Sequence, residues 1–379
     1  MQVKDDLELL ELMMEDTRKA PDLYRPGNYW SLYEKKGYSE NHWNPLYPEL
    51  KELGLHNFRR RKNSVITSFG GTDLSPSTSG KINISASRFF NNRITKKIPK
   101  WAALLSFMNR ILNMIFPVSE NVYHADGAKV GEKEIEQLFY DFAHIYGEKV
   151  GAKSVKDFED SLIGNPEHIV EISNKVYTMR LLSYYLQYVY CYDYLNFNNI
   201  DIMVELGSGS GKQIEVIKKL HPDICFLLFD IPPTLYVCEQ YLSSVFPDDV
   251  VSYRDTKLMD SIPEIHKGKI LFLGTWKFPI LNNEKVDLFW NSASFQEMEP
   301  DIISNYLKII NENSNAVFLR ASMGGSKVAE KKGEHGVIES INLDNYKNSL
   351  SNFKLCDMSP SFWPINKRDT YSNSFWERI

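Results

Sequence analysis

The chain has 379 residues, 43% of them hydrophobic, a formal net charge of −5 and four cysteines. That length and apolar content suffice for one or two full cores, and the near-balanced charge argues against a dedicated nucleic-acid binder, which needs a basic surface for phosphates. Cys191, Cys225, Cys238 and Cys356 have no C-x-x-C spacing and lie partly in apolar runs, so they read as reduced core residues, not as a disulfide framework or a zinc knuckle.

The opening Met1-Gln-Val-Lys-Asp-Asp is acidic and leads into an amphipathic helical pattern, unlike a secretory leader. No stretch has the apolar length to span a membrane, so a cytoplasmic protein is expected. Up to residue 194 the chain is aromatic and helical in pattern, with turn-rich breaks at 21–28, 70–80 and 164–166. The basic run Arg59-Arg60-Arg61-Lys62 reads as a solvated face or loop, and the Ser/Gly/Thr-rich 68–80 as either a linker or a mobile substrate-side loop. Residues 101–116 are apolar but interrupted by Asn109, Arg110 and Asn113 at helical spacing, which suits a buried or docking helix. Beyond 195, strands are expected at 201–206, 224–229, 269–274, 286–290 and 315–320, separated by helical stretches, with 352–357 and 371–378 as a closing antiparallel edge hairpin. The predicted organisation is a mainly helical region over 1–194, followed by an α/β domain with a doubly wound sheet over 195–379.

The most informative stretch lies in the first βαβ unit of that domain. Ile202, Met203, Val204 and Leu206 form a short apolar run of the kind buried on both faces of a parallel sheet. Gly207, Gly209 and Gly211 then allow a sharp turn and a close approach of ligand to backbone. A helix follows through Ile214, Val216, Ile217 and Leu220, and the next strand delivers Asp230 at its carboxyl end, where an acid can accept both hydroxyls of a ribose. A dinucleotide fingerprint would need glycine where Lys212 stands, and a P-loop would need glycine at Leu206 and Ser or Thr at Gln213. Glu205 ahead of G-x-G-x-G resembles instead the first motif of class I S-adenosyl-L-methionine (SAM) methyltransferases, whose ligand presents an aminoacyl group and a ribose and carries no phosphate.

Further segments resemble the sugar O-methyltransferase family: Gly164-Asn165-Pro166, Tyr177-Thr178, the run from Leu181 to Tyr190, and Asn291-Ser-Ala-Ser-Phe-Gln-Glu-Met298. The resemblance covers roughly residues 120 to 379, and Lys212-Gln213 departs from the further glycines and aromatic common there. It implies a class I methyltransferase, Rossmann-like sheet, with a substrate-recognition or lid region before it and a SAM-binding domain from 195 onward. It further implies that Glu205, Gly207, Gly209 and Gly211 surround the aminoacyl part of SAM and that Asp230 holds the ribose. Ile231, Thr275 and Trp276 would lie by the adenine, Asn291 would face the methyl donor, and Tyr177 and Thr178 would cap the methionine side.

Methyl transfer to a hydroxyl needs a base and an aligned acceptor. Glu297, His335 and His124 are the catalytic candidates, with Glu299 and His42 as further titratable groups. Asp287, Glu297, Glu299 and Asp301 suit either a magnesium site or the acidic first turn of a helix over 300–310; the latter is adopted and no metal is expected. Trp30, Trp43, Tyr123, Trp363 and Asn366 suit either the walls of a sugar pocket or ordinary core. The function expected is SAM-dependent O-methylation of a sugar or glycosylated small molecule in polysaccharide or natural-product biosynthesis. A non-sugar small-molecule or protein acceptor, or a non-catalytic SAM-binding scaffold, would use the same cofactor loop. The partners expected are that acceptor and at most a second copy in a homodimer, with neither nucleic acid nor a membrane span.

Overall fold

The computed structural model describes residues 3–30, 47–59, 132–166, 169–262, 267–361 and 371–379. His42, Trp43, Arg60 to Lys62, 68–80, 101–116, Tyr123, His124, Trp363 and Asn366 lie outside the described residues. The elements before the sheet are α1 (Leu7–Lys19), α2 (Tyr47–Leu53), α3 (Glu132–Val150), the hairpin β1 (Val170–Ile172) and β2 (Lys175–Tyr177), and α4 (Met179–Tyr192). There follow β3 (Ile202–Leu206), α5 (Lys212–Leu220), β4 (Cys225–Asp230), α6 (Pro232–Val245), β5 (Val250–Val251), α7 (Tyr253–Thr256) and β6 (Ile270–Gly274). The chain closes with β7 (Val286–Ser292), α8 (Pro300–Asn313), β8 (Ser314–Ser322), α9 (Leu343–Ser349), β9 (Phe353–Pro360) and β10 (Tyr371–Arg378).

Eight strands form one sheet in the order β5-β6-β4-β3-β7-β8-β10-β9. From β5 to β8 neighbours are parallel, and β10 runs antiparallel to both β8 and β9. This is the doubly wound α/β sheet with an antiparallel edge hairpin that the strand spacing predicts. β3 is central: the chain leaves it toward β4 and later returns to place β7 on its other side. The crevice beyond the carboxyl ends of β3 and β7 is therefore the topological switch point, where open α/β sheets bind ligands.

Alternation along the strands sorts their side chains into two apolar layers. Met203, Phe226, Leu228, Phe272, Trp290 and Phe318 face a cluster that runs without a break into Leu9 and Met13 of α1 and into Tyr185 and Leu186 of α4. Val204, Leu227, Phe229, Leu273, Phe289 and Val317 face Phe278, Ile303, Tyr306 and Leu307 on the other side. Both faces are covered, which is why β4 reads as the unbroken run Cys-Phe-Leu-Leu-Phe-Asp and every one of its residues is buried. The four cysteines are free thiols, three of them buried. Among the described residues no helix is long and apolar enough to cross a membrane.

Arg59 departs from the solvated face expected of its basic run. It is buried against Asp160 at 2.8 Å, and Asp160 in turn binds Lys212, the residue that follows the glycine loop.

Candidate active site

The glycine loop is built on left-handed backbone, with φ of 80° at Gly207, 57° at Gly209 and 78° at Gly211. Space requires glycine as well as φ. A Cβ on Gly207 would lie 2.4 Å from Ser294 Oγ, and one on Gly211, the N-cap of α5, 2.6 Å from Leu242. The Gly207 amide donates to Phe229 O at 2.8 Å, binding the loop to the end of β4.

Asp230 ends β4 opposite this loop. Its Oδ2 accepts from Gly209 N at 2.9 Å and, at a long 3.4 Å, from Ser208 Oγ; its Oδ1 accepts from Ile231 N and Thr234 Oγ1, each at 2.8 Å. Burial pushes its pKa up to about 6 in spite of those donors. Glu205, at the end of β3, is raised well above the carboxylate range by burial and secondarily by the charge of Asp230. Its Oε2 is buried and has no hydrogen-bond partner.

These groups open onto a cavity of about 260 Å³ at the switch point. On one side Glu205, Gly207, Gly209, Asp230, Ile231 and Thr275 line it. On the other lie Glu297, on the turn after β7, and Trp30, whose Nε1 donates to Glu297 Oε2 at 3.1 Å. Burial pushes Glu297 up to about 8, partly offset by the Trp30 and Tyr29 hydrogen bonds.

The remaining described residues expected at the site lie off the cavity wall. Gly211 shapes the loop from behind. Asn291 braces the strand ends, its Nδ2 donating to Leu206 O at 2.8 Å and Ser294 Oγ at 2.6 Å. Trp276 packs edge-on against Tyr253, ring centroids 6.2 Å apart. Tyr177 points away, donating to Val155 O at 3.2 Å beside the Tyr140 ring, and Thr178 caps α4 through Leu181 N at 3.2 Å. His335 lies one layer out, its ring 4.6 Å from that of Tyr29, the neighbour of Trp30. The four acids near β7 do not assemble. Asp287 accepts from Asp201 N and Ile202 N at the amino end of the sheet, while Glu299 accepts from Ile338 N and Glu339 N.

No family model matches the chain, and no curated protein matches it in sequence. Solved structures are similar to part of it. The mitomycin 7-O-methyltransferase MmcR is 11% identical over 49% of this chain and 51% of its own, with a TM-score of 0.34. NcsB1, an O-methyltransferase from neocarzinostatin biosynthesis in complex with S-adenosyl-L-homocysteine and 1,4-dihydroxy-2-naphthoic acid, is 13% identical over 53% and 56%, with a TM-score of 0.34. Magnesium protoporphyrin IX methyltransferase (ChlM) from Synechocystis PCC 6803, with bound S-adenosyl-L-homocysteine, is 11% identical over 64% and 99%, with a TM-score of 0.33. The matched part spans about half the length of the first of these.

Several wall residues escape a reading by local motif. Arg180, Tyr184 and Gln187 line the cavity from one face of α4; their i, i+4, i+7 spacing was the available signal. Gln187 Oε1 accepts from Ser292 Oγ at 2.8 Å. Arg320 of β8 lies over the Tyr371 ring at 4.3 Å and donates from Nε to Ser361 Oγ at 2.8 Å. Ala293, on the wall at φ 64°, is a non-glycine residue in a left-handed turn, a strained geometry that clusters at functional sites.

Proposed function

We propose that this chain is a SAM-dependent O-methyltransferase acting on a hydroxyl of a sugar or glycosylated small molecule. The observation that carries this reading is a pair of acids flanking the glycine loop at the switch-point cavity: Glu205 with an oxygen lacking a partner, and Asp230 on the Gly209 amide. The residues fit the group chemically. Glu205 Oε2 is an acceptor for an ammonium, and Asp230 at the end of β4 is an acceptor for a ribose diol, which would displace the long Ser208 contact. SAM carries no phosphate, and the cation that follows the loop, Lys212, turns inward to Asp160 and Glu215 instead of toward the cavity. Bound SAM supplies an electrophilic methyl group on a sulfonium.

Ile231 and Thr275 would flank the adenine, with Gly211 and Asn291 holding the loop and strand ends in register. Glu297 would take the proton of the acceptor hydroxyl: it lies in the cavity, is oriented by Trp30, and its raised pKa matches a base working near neutrality. His335 would support it through Tyr29 and Trp30. The acceptor side carries the rings of Trp30, Tyr184 and Tyr371 beside Gln187 and Arg320. Such a mixture suits a ligand with apolar C–H faces and many hydroxyls. Residues before 195 would then serve acceptor recognition, through the segment ending at Trp30 and through α4.

Calorimetry with SAM and S-adenosyl-L-homocysteine tests the cofactor reading. The wild type is expected to bind, and Asp230→Ala to bind at least about tenfold more weakly, as for loss of charge-assisted hydrogen bonds. No binding by the wild type overturns the reading. Turnover across nucleotide sugars, glycans and non-sugar hydroxy compounds then decides the acceptor, and transfer confined to non-sugars removes the sugar assignment.

A further inference from the structure

Gln213 stands in the first turn of α5, just past the glycine loop, and lines the same cavity as Glu205. It is buried, yet only half of its amide is used. Nε2 donates to Tyr184 O of α4 at 3.3 Å, whereas Oε1 is buried without a hydrogen-bond partner. The Tyr184 carbonyl fixes the orientation of the amide, since a flip would set two acceptor oxygens against each other. Glu205 Oε2 on the other flank of the loop is in the same condition. Two buried oxygens without protein donors are costly in a folded protein unless water or a ligand in the cavity supplies the donors. A ligand group that satisfies both must bring at least two donors, and an ammonium does so from a single atom while its charge favours the ionised form of Glu205 that burial disfavours.

We propose that Gln213 is a specificity-determining residue for the aminoacyl end of the cofactor, its Oε1 sharing the ligand's α-ammonium with Glu205 Oε2. This rests on the SAM reading above and deepens it. The ammonium offers three N–H donors, enough for both oxygens. Gln213 then separates adenosyl ligands that carry the amino group from those that lack it, and the departure from glycine-rich sequence at Lys212-Gln213 acquires a role. Lys212 anchors the helix from beneath while Gln213 faces the ligand.

The test compares binding of S-adenosyl-L-homocysteine with its analogue in which hydrogen replaces the α-amino group, by calorimetry on the full chain. The wild type is expected to prefer the amino compound by about tenfold or more. Gln213→Met, of similar length but without the acceptor, is expected to lose most of that preference while binding the deaminated analogue as the wild type does. An unchanged ratio of the two affinities overturns the proposal, even if both affinities fall together. Where Gln213→Met binds neither ligand, Gln213→Glu decides: it keeps an acceptor, so a retained preference supports the assignment and a lost one overturns it. A wild type that binds neither compound removes the SAM reading itself, an outcome distinct from an unchanged ratio.

Discussion

As the proposed base, Glu297 meets two opposing demands, since the burial that would bring its pKa toward neutrality also makes its ionised form unfavourable. Its pKa is raised from 4.5 to about 8, mainly by burial. As a base it must be ionised, so kcat/KM is expected to rise with pH through about 8 and then level off. Glu297→Gln should flatten that rise and lower turnover by roughly 10²–10⁴-fold, with S-adenosyl-L-homocysteine affinity retained; a wild-type profile flat from pH 6 to 10 would exclude it as the base. The stability effect has the opposite sign. A carboxyl whose folded pKa is raised keeps its proton where the unfolded chain has lost it, so stability falls as pH climbs from about 4.5 toward about 8. The same glutamine variant should therefore melt above the wild type at pH 8 and converge with it below about pH 4.5.

At the scale of elements, the start of α5 is held by a buried ion cluster. Lys212 Nζ bonds to Asp160, to Glu215 Oε2 at 2.7 Å and to Tyr241 Oη at 2.6 Å, and Arg59 completes it at Asp160. Burial opposes ionisation of both acids, but the cations outweigh it: Arg59 and Lys212 lower Asp160, while Lys212 and Lys219 lower Glu215. Lys212→Met leaves both acids short of a buried partner and is expected to cost about 3–5 kcal/mol in urea unfolding. Because the folded pKa values are lowered, the cluster's contribution is present above the unfolded carboxylate range and is lost as pH falls through the folded values. The variant should accordingly lose less stability in acid than the wild type; equal acid sensitivity would mean that the cluster is not the source. Nothing in the spacing of Arg59, Asp160 and Lys212 announces this association, which is tertiary, and so Arg59 reads as surface from sequence. The inner parallel strands β3, β4, β6, β7 and β8 were legible because each is a largely apolar run buried on both faces. Val250–Val251 is too short to show a period, and the β1–β2 hairpin turns on Ser173 and Asn174, both at positive φ, without the usual glycine.

Across the whole molecule, the cavity joins residues about 300 positions apart, and here legibility ends. The glycine loop and Asp230 could be read because one βαβ unit contains them, whereas Tyr24, Trp30, Arg320 and Tyr371 meet only through the fold. Tyr177 and Thr178 were placed at the methionine side by resemblance to the family, yet α4 begins at Met179 and turns Arg180 to the cavity instead. The segment from Tyr24 to Trp30 is stitched over the site at three points. Thr275 Oγ1 donates to Tyr24 O at 2.6 Å, Trp30 binds Glu297, and Asn28 engages the 333–336 loop. Asn28 Nδ2 donates to Glu334 O at 2.9 Å and Gly336 O at 2.7 Å, and its Oδ1 accepts from Gly333 N at 2.7 Å. Asn28 is not on the cavity wall, so on the function proposed above its loss would act on closure over the acceptor while leaving the glycine loop and Asp230 untouched. With about 0.5–1.5 kcal/mol for each of the three bonds, Asn28→Ala should weaken the docking of this segment by roughly 1.5–4.5 kcal/mol. Hydrogen exchange is then expected to accelerate in peptides covering 21–30 and 331–338 while the β3 and β4 amides keep their protection. Acceptor KM should rise with S-adenosyl-L-homocysteine affinity unchanged. If exchange accelerates equally across β3 and β4, the segment is part of the global folding unit, and its contacts serve stability instead of closing the acceptor side.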